Sequence, residues 1–105
     1  MKNITVAEFT IDAYEQVYSL WENCDGIGLS SADSRPRIQI YLERNPGLSL
    51  IAHERQRVVG TILCGHDGRR GYIHHLAVLS AYRRQGIGRL LVDKSLATLQ
   101  SLGIQ

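Results

Sequence analysis

Two neighbouring sets of residues have types and spacing that suit chemistry. The first is Arg83-Arg84-Gln85-Gly86-Ile87-Gly88-Arg89. Glycine at 86 and 88 lets the backbone come close to a bulky ligand with no Cβ in the way. A helix that starts here has first-turn amides without internal partners, and its dipole adds partial positive charge. Arg83, Arg84 and Arg89 place mobile cations around the same end. Together these make a site for a pyrophosphate or polyphosphate. It is neither a dinucleotide fingerprint, which needs a third glycine and a later acidic residue, nor a P-loop, which needs Gly-Lys-Ser/Thr. The second set lies just upstream, in Tyr72-Ile73-His74-His75. A histidine titrates near neutral pH, so either ring can take up a proton without a large pKa shift.

The surrounding pattern supplies the elements that must position these groups. Residues 4–10 are β-rich and fit a first strand. Asp12 followed by Glu15 resembles a capping box, and Tyr14, Val17, Tyr18, Trp21 and Cys24 then recur at helical spacing, which predicts a helix over about 12–23. A loop follows from Asp25 to Asp33. Ser34 can cap a second helix with Pro36 in its first turn, and Asn45-Pro46-Gly47 stops it. Leu48 to His53, Val58 to Cys64 and Tyr72 to Leu79 read as three antiparallel strands, with Asp67-Gly68 as the hairpin signal of the second reversal. From Gly86 the period turns helical and holds to about Leu102, where Gly103 can end it. Ile87, Gly88, Leu91, Val92, Ser95, Leu96, Leu99 and Leu102 share half of that helical wheel. Strand alternation sends His74 and His75 to opposite faces, so one of them at most is expected to reach a cleft, unless a bulge changes the alternation. His53 and His66, near turns, are expected at the surface.

Bulk properties narrow the class. At 105 residues the chain is one domain with a single core. A formal charge of +2 is too small to argue for nucleic acid, whereas the clustered arginines argue for a local anion site. No apolar run reaches the roughly 20 residues of a spanning helix, and Glu8 and Asp12 stand where a signal peptide would not carry them. The expectation is a cytoplasmic protein with no membrane or nucleic-acid partner. Cys24 and Cys64 have neither metal-ligand nor redox-motif spacing. No metal site is expected. Cys64 reads as a small buried hydrophobe, and an acyl-cysteine intermediate would need a nearby base that the sequence does not identify.

Arg83-x-x-Gly86-x-Gly88 directly after a strand resembles the coenzyme A signature of the GCN5-related N-acetyltransferases (GNAT), Gln/Arg-x-x-Gly-x-Gly/Ala. The wider run Leu76-Ala77-Val78 … Tyr82-Arg83-Arg84-Gln85-Gly86-Ile87-Gly88 is similar to the family's central motif without a gap. The resemblance implies an α/β (α+β) GNAT-like acyl-CoA N-acyltransferase fold, β-α-α-β-β-β-α, with a mainly antiparallel sheet. It implies acetyl-CoA as cofactor and direct transfer of an acetyl group to a primary amine of a small molecule or a protein. In the family's scheme Leu76, Ala77 and Val78 pair with the pantetheine arm, the amides near Arg84 to Arg89, through Gln85, Gly86, Ile87 and Gly88, hold the pyrophosphate, and a backbone amide at Val78 meets the oxyanion. Tyr72 takes the place of a glutamate that many members use as base, and His74 and His75 follow it; the expectation leans to His74, with His75 close behind. Asp25, Asp33, Tyr41 and Glu43 are candidates for gripping a cationic acceptor.

The family continues past the last helix with a strand, a helix and a hairpin, whereas this chain ends at Gln105. The expectation is therefore a C-terminally truncated relative, the N-terminal two-thirds of the fold. One wall of the coenzyme cleft and the tyrosine that commonly protonates the leaving thiolate are then missing. Tyr82 reads as a packing residue in the loop. Strand 72–79 becomes a long apolar edge, from which self-association as a homodimer is expected. The competing reading is a non-catalytic fold that binds coenzyme A weakly or not at all.

Overall fold

The computed structural model describes residues 3–104. Strands and α-helices follow the expected order: β1 (Ile4–Glu8), α1 (Tyr14–Glu22), α2 (Arg35–Arg44), β2 (Leu50–Glu54), β3 (Arg57–His66), β4 (Gly71–Val78) and α3 (Ile87–Ser101). The strands form one sheet in the order β1-β2-β3-β4, each pair antiparallel. Helices α1 and α2 cover one face, where Phe9, Val17, Trp21, Ile38 and Leu63 are buried together, and α3 covers the other, packing Ile87 and Leu91 on Val59 and Ile62. The run Val58-Val59-Gly60-Thr61-Ile62-Leu63-Cys64 is continuously buried because β3 has a neighbour strand on each side and a helix on each face. That places β4 at the edge of the described sheet, with Tyr72, Ile73 and Leu76 exposed.

Local details depart from expectation in three places. The Asp12–Glu15 capping box does not form; Ile11–Ala13 makes a single 3-10 turn that runs into α1, with Ala13 at the cap. A capping box forms instead at the 3-10 turn Ser31–Asp33, where Asp33 Oδ2 accepts from the Ser30 amide at 3.0 Å. Ser34 does precede α2, with Pro36 in the first turn, but its hydroxyl makes no capping bond. On α3 the buried stripe is only Ile87, Leu91, Ser95 and Leu99, while Leu96 and Leu102 are exposed. This helix lies so close to the sheet that a single row of side chains fills the gap: a Cβ at Gly71 would meet Leu99 Cδ1 at 2.5 Å.

The decisive departure is in β4. Leu63 pairs with His74, but Thr61 pairs with Ala77, so His75 and Leu76 together oppose Ile62. This is a β-bulge, and His75 sits in it at φ +50°, a left-handed conformation that costs a non-glycine residue about 1–2 kcal/mol. Such strain persists only where the surroundings over-determine it.

Candidate active site

The bulge decides which backbone groups of β4 face outward. The Leu79 amide donates to Val59 O at 2.8 Å, so pairs 59/79 and 61/77 are the hydrogen-bonded ones, and the amide and carbonyl of Val78 point away from β3. The outward Val78 carbonyl accepts from Arg83 Nε at 3.0 Å, which ties the loop to the strand end. The Val78 amide is left facing the open edge. Ala77, expected to pair with a ligand arm, has its polar groups turned toward β3, and Leu76 lies in the bulge.

Beyond the strand, a 3-10 turn (Ser80–Tyr82) leads into a loop with Arg84 at φ +63° and Gly86 at φ +83°. Gly86 is the N-cap of α3, and the first helical bond is from the Leu90 amide to Gly86 O. The amides of Ile87, Gly88 and Arg89 therefore have no helical partner, and they sit at the positive end of a 15-residue helix. A Cβ at Gly86 would meet nothing within 4 Å, and one at Gly88 only Val78 Cγ2 at 3.8 Å. The fold needs glycine at 86 for its torsion angle, but nothing in the packing needs it at 88. Arg84 and Arg89 are exposed beside these amides, with Arg89 reaching toward Asp93 at 3.9 Å. A cleft of about 360 Å³ joins this end of α3 to the open edge, lined by Leu76, Ala77, Val78, Arg83 and Gly88 and, from the end of α1, by Cys24. Open amides, adjacent cations and unfilled space beside both glycines fit a pyrophosphate.

A second cleft, of about 570 Å³, takes its β4 lining from the two residues that precede Leu76. His74 and His75 both line it, together with Asp33, Arg37, Tyr41 and Arg44. The expectation that only one histidine reaches a cleft is thus overturned, because the extra residue of the bulge removes the alternation between them. His75 Nε2 lies 2.8 Å from Asp33 Oδ1, and its ring meets the edge of Trp21 at 5.0 Å between centroids. Asp33 is only 6% exposed. It is held in turn by the Ser30 amide on its other oxygen and by the Tyr14 hydroxyl, which donates to its backbone carbonyl at 2.6 Å. His74 is exposed and stacks on Tyr72. The Tyr72 hydroxyl donates to Asp67 at 2.9 Å, and that hydrogen bond raises its pKa above the usual phenol value, which makes it a poor proton acceptor.

Not every expected site residue gathers here. Asp25 lines the cleft at the end of α3, on the other side of the bulge. Glu43 accepts from Gln39 on its own helix and borders a separate small cleft near Phe9. Asp33 is in place, with one carboxylate oxygen accepting from the Ser30 amide and the other against His75 Nε2. Tyr41 lines the second cleft, and burial pushes its phenol up to about 12. Tyr82 packs as expected, with its hydroxyl donating to Glu54 at 2.6 Å. His53 and His66 stand half-buried at turns of the surface, and each turns a ring nitrogen onto turn backbone, at Arg55 O and the Gly68 amide. Cys64 is fully buried, and burial raises its thiol pKa, which removes it as an acyl carrier. Arg37 and Arg44 went unremarked in the sequence, although 37, 41 and 44 are spaced to share one face of α2. Among the described residues no cluster suits a metal ion, and no helix is long and apolar enough to cross a membrane.

The chain has relatives among known proteins. An acetyltransferase of Photorhabdus laumondii is 38% identical over 86 residues, covering 82% of this chain and 59% of that protein. One from Sodalis glossinidius is 37% identical over 86 residues, with 82% and 60% covered. The chain thus spans about 60% of the length of these curated relatives. Among solved structures, the PaiA N-acetyltransferase of Thermoplasma acidophilum in complex with coenzyme A superposes with a TM-score of 0.81 at 16% identity, over 97% of this chain and 75% of that one. At that identity the likeness is one of fold. The acetyltransferase (GNAT) family profile matches residues 14–105. With the profile running from Tyr14 onward, this protein belongs to the GNAT family of acetyltransferases.

Proposed function

We propose that the chain forms the donor cleft and the proton acceptor of an N-acetyltransferase that moves an acetyl group from acetyl-CoA directly to a primary amine. The observation that carries this reading is the bulge at His75 and Leu76, across which consecutive residues of one strand line the two clefts. Leu76 and Val78 line the donor side, and His74 and His75 the acceptor side. Bound acetyl-CoA supplies a thioester carbonyl open to attack by an amine. The amides of Ile87, Gly88 and Arg89 would hold its pyrophosphate, with Arg84 and Arg89 adding charge. The outward Val78 amide donates to the oxygen on which negative charge develops, a contribution that grows in the transition state.

The attacking amine must be neutral; as the C–N bond forms and the thioester C–S bond breaks, His75 takes the amine's proton, and coenzyme A would leave as a thiolate that gains its proton from solvent. Asp33 engages Nε2, so the neutral ring carries its hydrogen there and leaves Nδ1 as the acceptor. Asp33 is thus a positioning residue, and the buried contacts to Ser30 and Tyr14 fix it. His74, exposed and stacked on Tyr72, lines the same cleft.

Thiol release and calorimetry test this together. His75→Gln should lower kcat by about 10²- to 10⁴-fold while leaving acetyl-CoA affinity unchanged. Arg84→Ala/Arg89→Ala should weaken that affinity instead. A folded protein that does not bind acetyl-CoA, or His75→Gln with wild-type turnover, overturns the assignment.

A further inference from the structure

The charges in the acceptor cleft do not suit the cationic acceptor that the sequence led us to expect. Its carboxylate is Asp33, and both oxygens of that group are committed, one to His75 and one to the Ser30 amide. Against this stand two guanidinium groups, Arg37 and Arg44, for which there is no ion pair or hydrogen bond among the described residues. The neighbouring Arg35, by contrast, is paired with Glu15 at 3.2 Å. Residues 37, 41 and 44 stand at i, i+4 and i+7, so both arginines project from the same face of α2 as Tyr41. The Tyr41 phenol is held neutral by burial and offers no countercharge. The remaining titratable groups facing this space are His74 and His75. A polyamine or other purely cationic acceptor would therefore meet two arginines and no available carboxylate.

Resting on the reading of this cleft as the acceptor site, we infer that the acceptor is a free amino acid or a close analogue, an amine that also bears a carboxylate. The carboxylate docks on Arg37 and Arg44, for which a guanidinium's planar fork is well matched. The amine is directed across the cleft to His75. Ile38, Ile40 and Leu63 supply an apolar lining for the stem between them. A cleft of about 570 Å³ accommodates a molecule of this size. Arg37 and Arg44 are then the residues that set specificity, and they touch no part of the donor.

Matched pairs that differ only by the carboxylate provide the test: lysine against cadaverine, ornithine against putrescine, and phenylalanine against phenethylamine. The amino acid should be favoured in kcat/KM by about 10- to 100-fold, the worth of one charge-assisted hydrogen bond. Arg37→Gln/Arg44→Gln should erase that preference without changing acetyl-CoA affinity. A second readout needs no turnover. N-acetyl-lysine, but not N-acetyl-cadaverine, should shift the side-chain ¹⁵N signals of Arg37 and Arg44 in wild-type protein. Equal rates and equal shifts within each pair, faster acetylation of the diamine, or a preference that survives in the double variant overturns the inference while leaving the enzyme reading intact. Acceptance of dipeptides with rejection of free amino acids overturns it in favour of a peptide acceptor. Selective arginine shifts without acetyl transfer to any amine would support the anion site and refute the enzyme reading.

Discussion

Substitution at Gly88 separates what the fold requires from what a ligand requires. The residue lies in the first turn of α3 without a positive φ, and a Cβ there touches only Val78 Cγ2, at the ordinary distance of 3.8 Å. Alanine therefore fits. In a helix it should gain about 0.5–1 kcal/mol over glycine, which for a domain of this size raises Tm by about 2–8 °C. Valine brings two further methyl groups into the cleft bordered by Leu76 and Val78, over the amides of Ile87 and Arg89. Losing one amide-to-phosphate hydrogen bond there costs about 1.5–3 kcal/mol, or roughly 10- to 150-fold in affinity. Thermal melting and calorimetric titration with coenzyme A measure the two effects separately. Gly88→Ala should melt higher and bind coenzyme A within about threefold of wild type, since one methyl leaves the amides open. Gly88→Val should melt close to wild type and bind at least about tenfold more weakly. Folded Gly88→Val with undiminished affinity would refute the placement of the pyrophosphate at the start of α3. A lower Tm for Gly88→Ala would refute the claim that packing leaves the position free.

Two further outcomes follow from the packing around β3 and β4. A Cβ at Gly65 would stand 2.5 Å from Tyr41 Oη and 2.9 Å from the Asn45 amide, and Asn45 is pinned by its bonds to Tyr41 O and the His66 amide. Gly65→Ala should therefore destabilise by about 1–3 kcal/mol, read as a lower denaturant midpoint; an unchanged midpoint contradicts it. In the β3–β4 turn, the amide of Arg70 above all, then the Tyr72 hydroxyl and the Arg69 amide, hold the Asp67 carboxyl below its usual pKa. A depressed pKa stabilises the folded state above the unfolded value, and that contribution is lost as pH falls through the folded one. The stability advantage of wild type over Asp67→Asn should thus shrink as the pH falls through and below the usual carboxylate range, and a constant gap there would count against these hydrogen bonds.

Element order and the anion loop were legible because their determinants are local. Helical spacing in α1, the Asn45-Pro46-Gly47 stop and the Asp67-Gly68 reversal each depend on residues within a turn or two of one another. The expected capping box failed for a reason of the same scale. The chain enters α1 through a 3-10 turn, which moves the cap from Asp12 to Ala13. The buried stripe of α3 was overestimated because its width depends on how closely the helix approaches the sheet, and Gly71 and Leu99 settle that distance across 28 residues.

The sequence by itself determined that a glycine-bearing, cationic loop opens a helix directly after a strand, and that two histidines precede it. Torsional freedom and unpaired amides are properties of neighbouring residues, so no fold is needed to read them. Tertiary structure alone decided that both histidines enter one cleft, since a bulge is a mismatch between two strands and His75 acquires its direction from Ile62 opposite. It also brought Asp33, 42 residues from His75, to within 2.8 Å of that ring. Arg37 and Arg44 then stand as cleft charges with no ion pair among the described residues. Charge balance in a cleft is summed over space, and a linear sequence does not show which carboxylates have already been used.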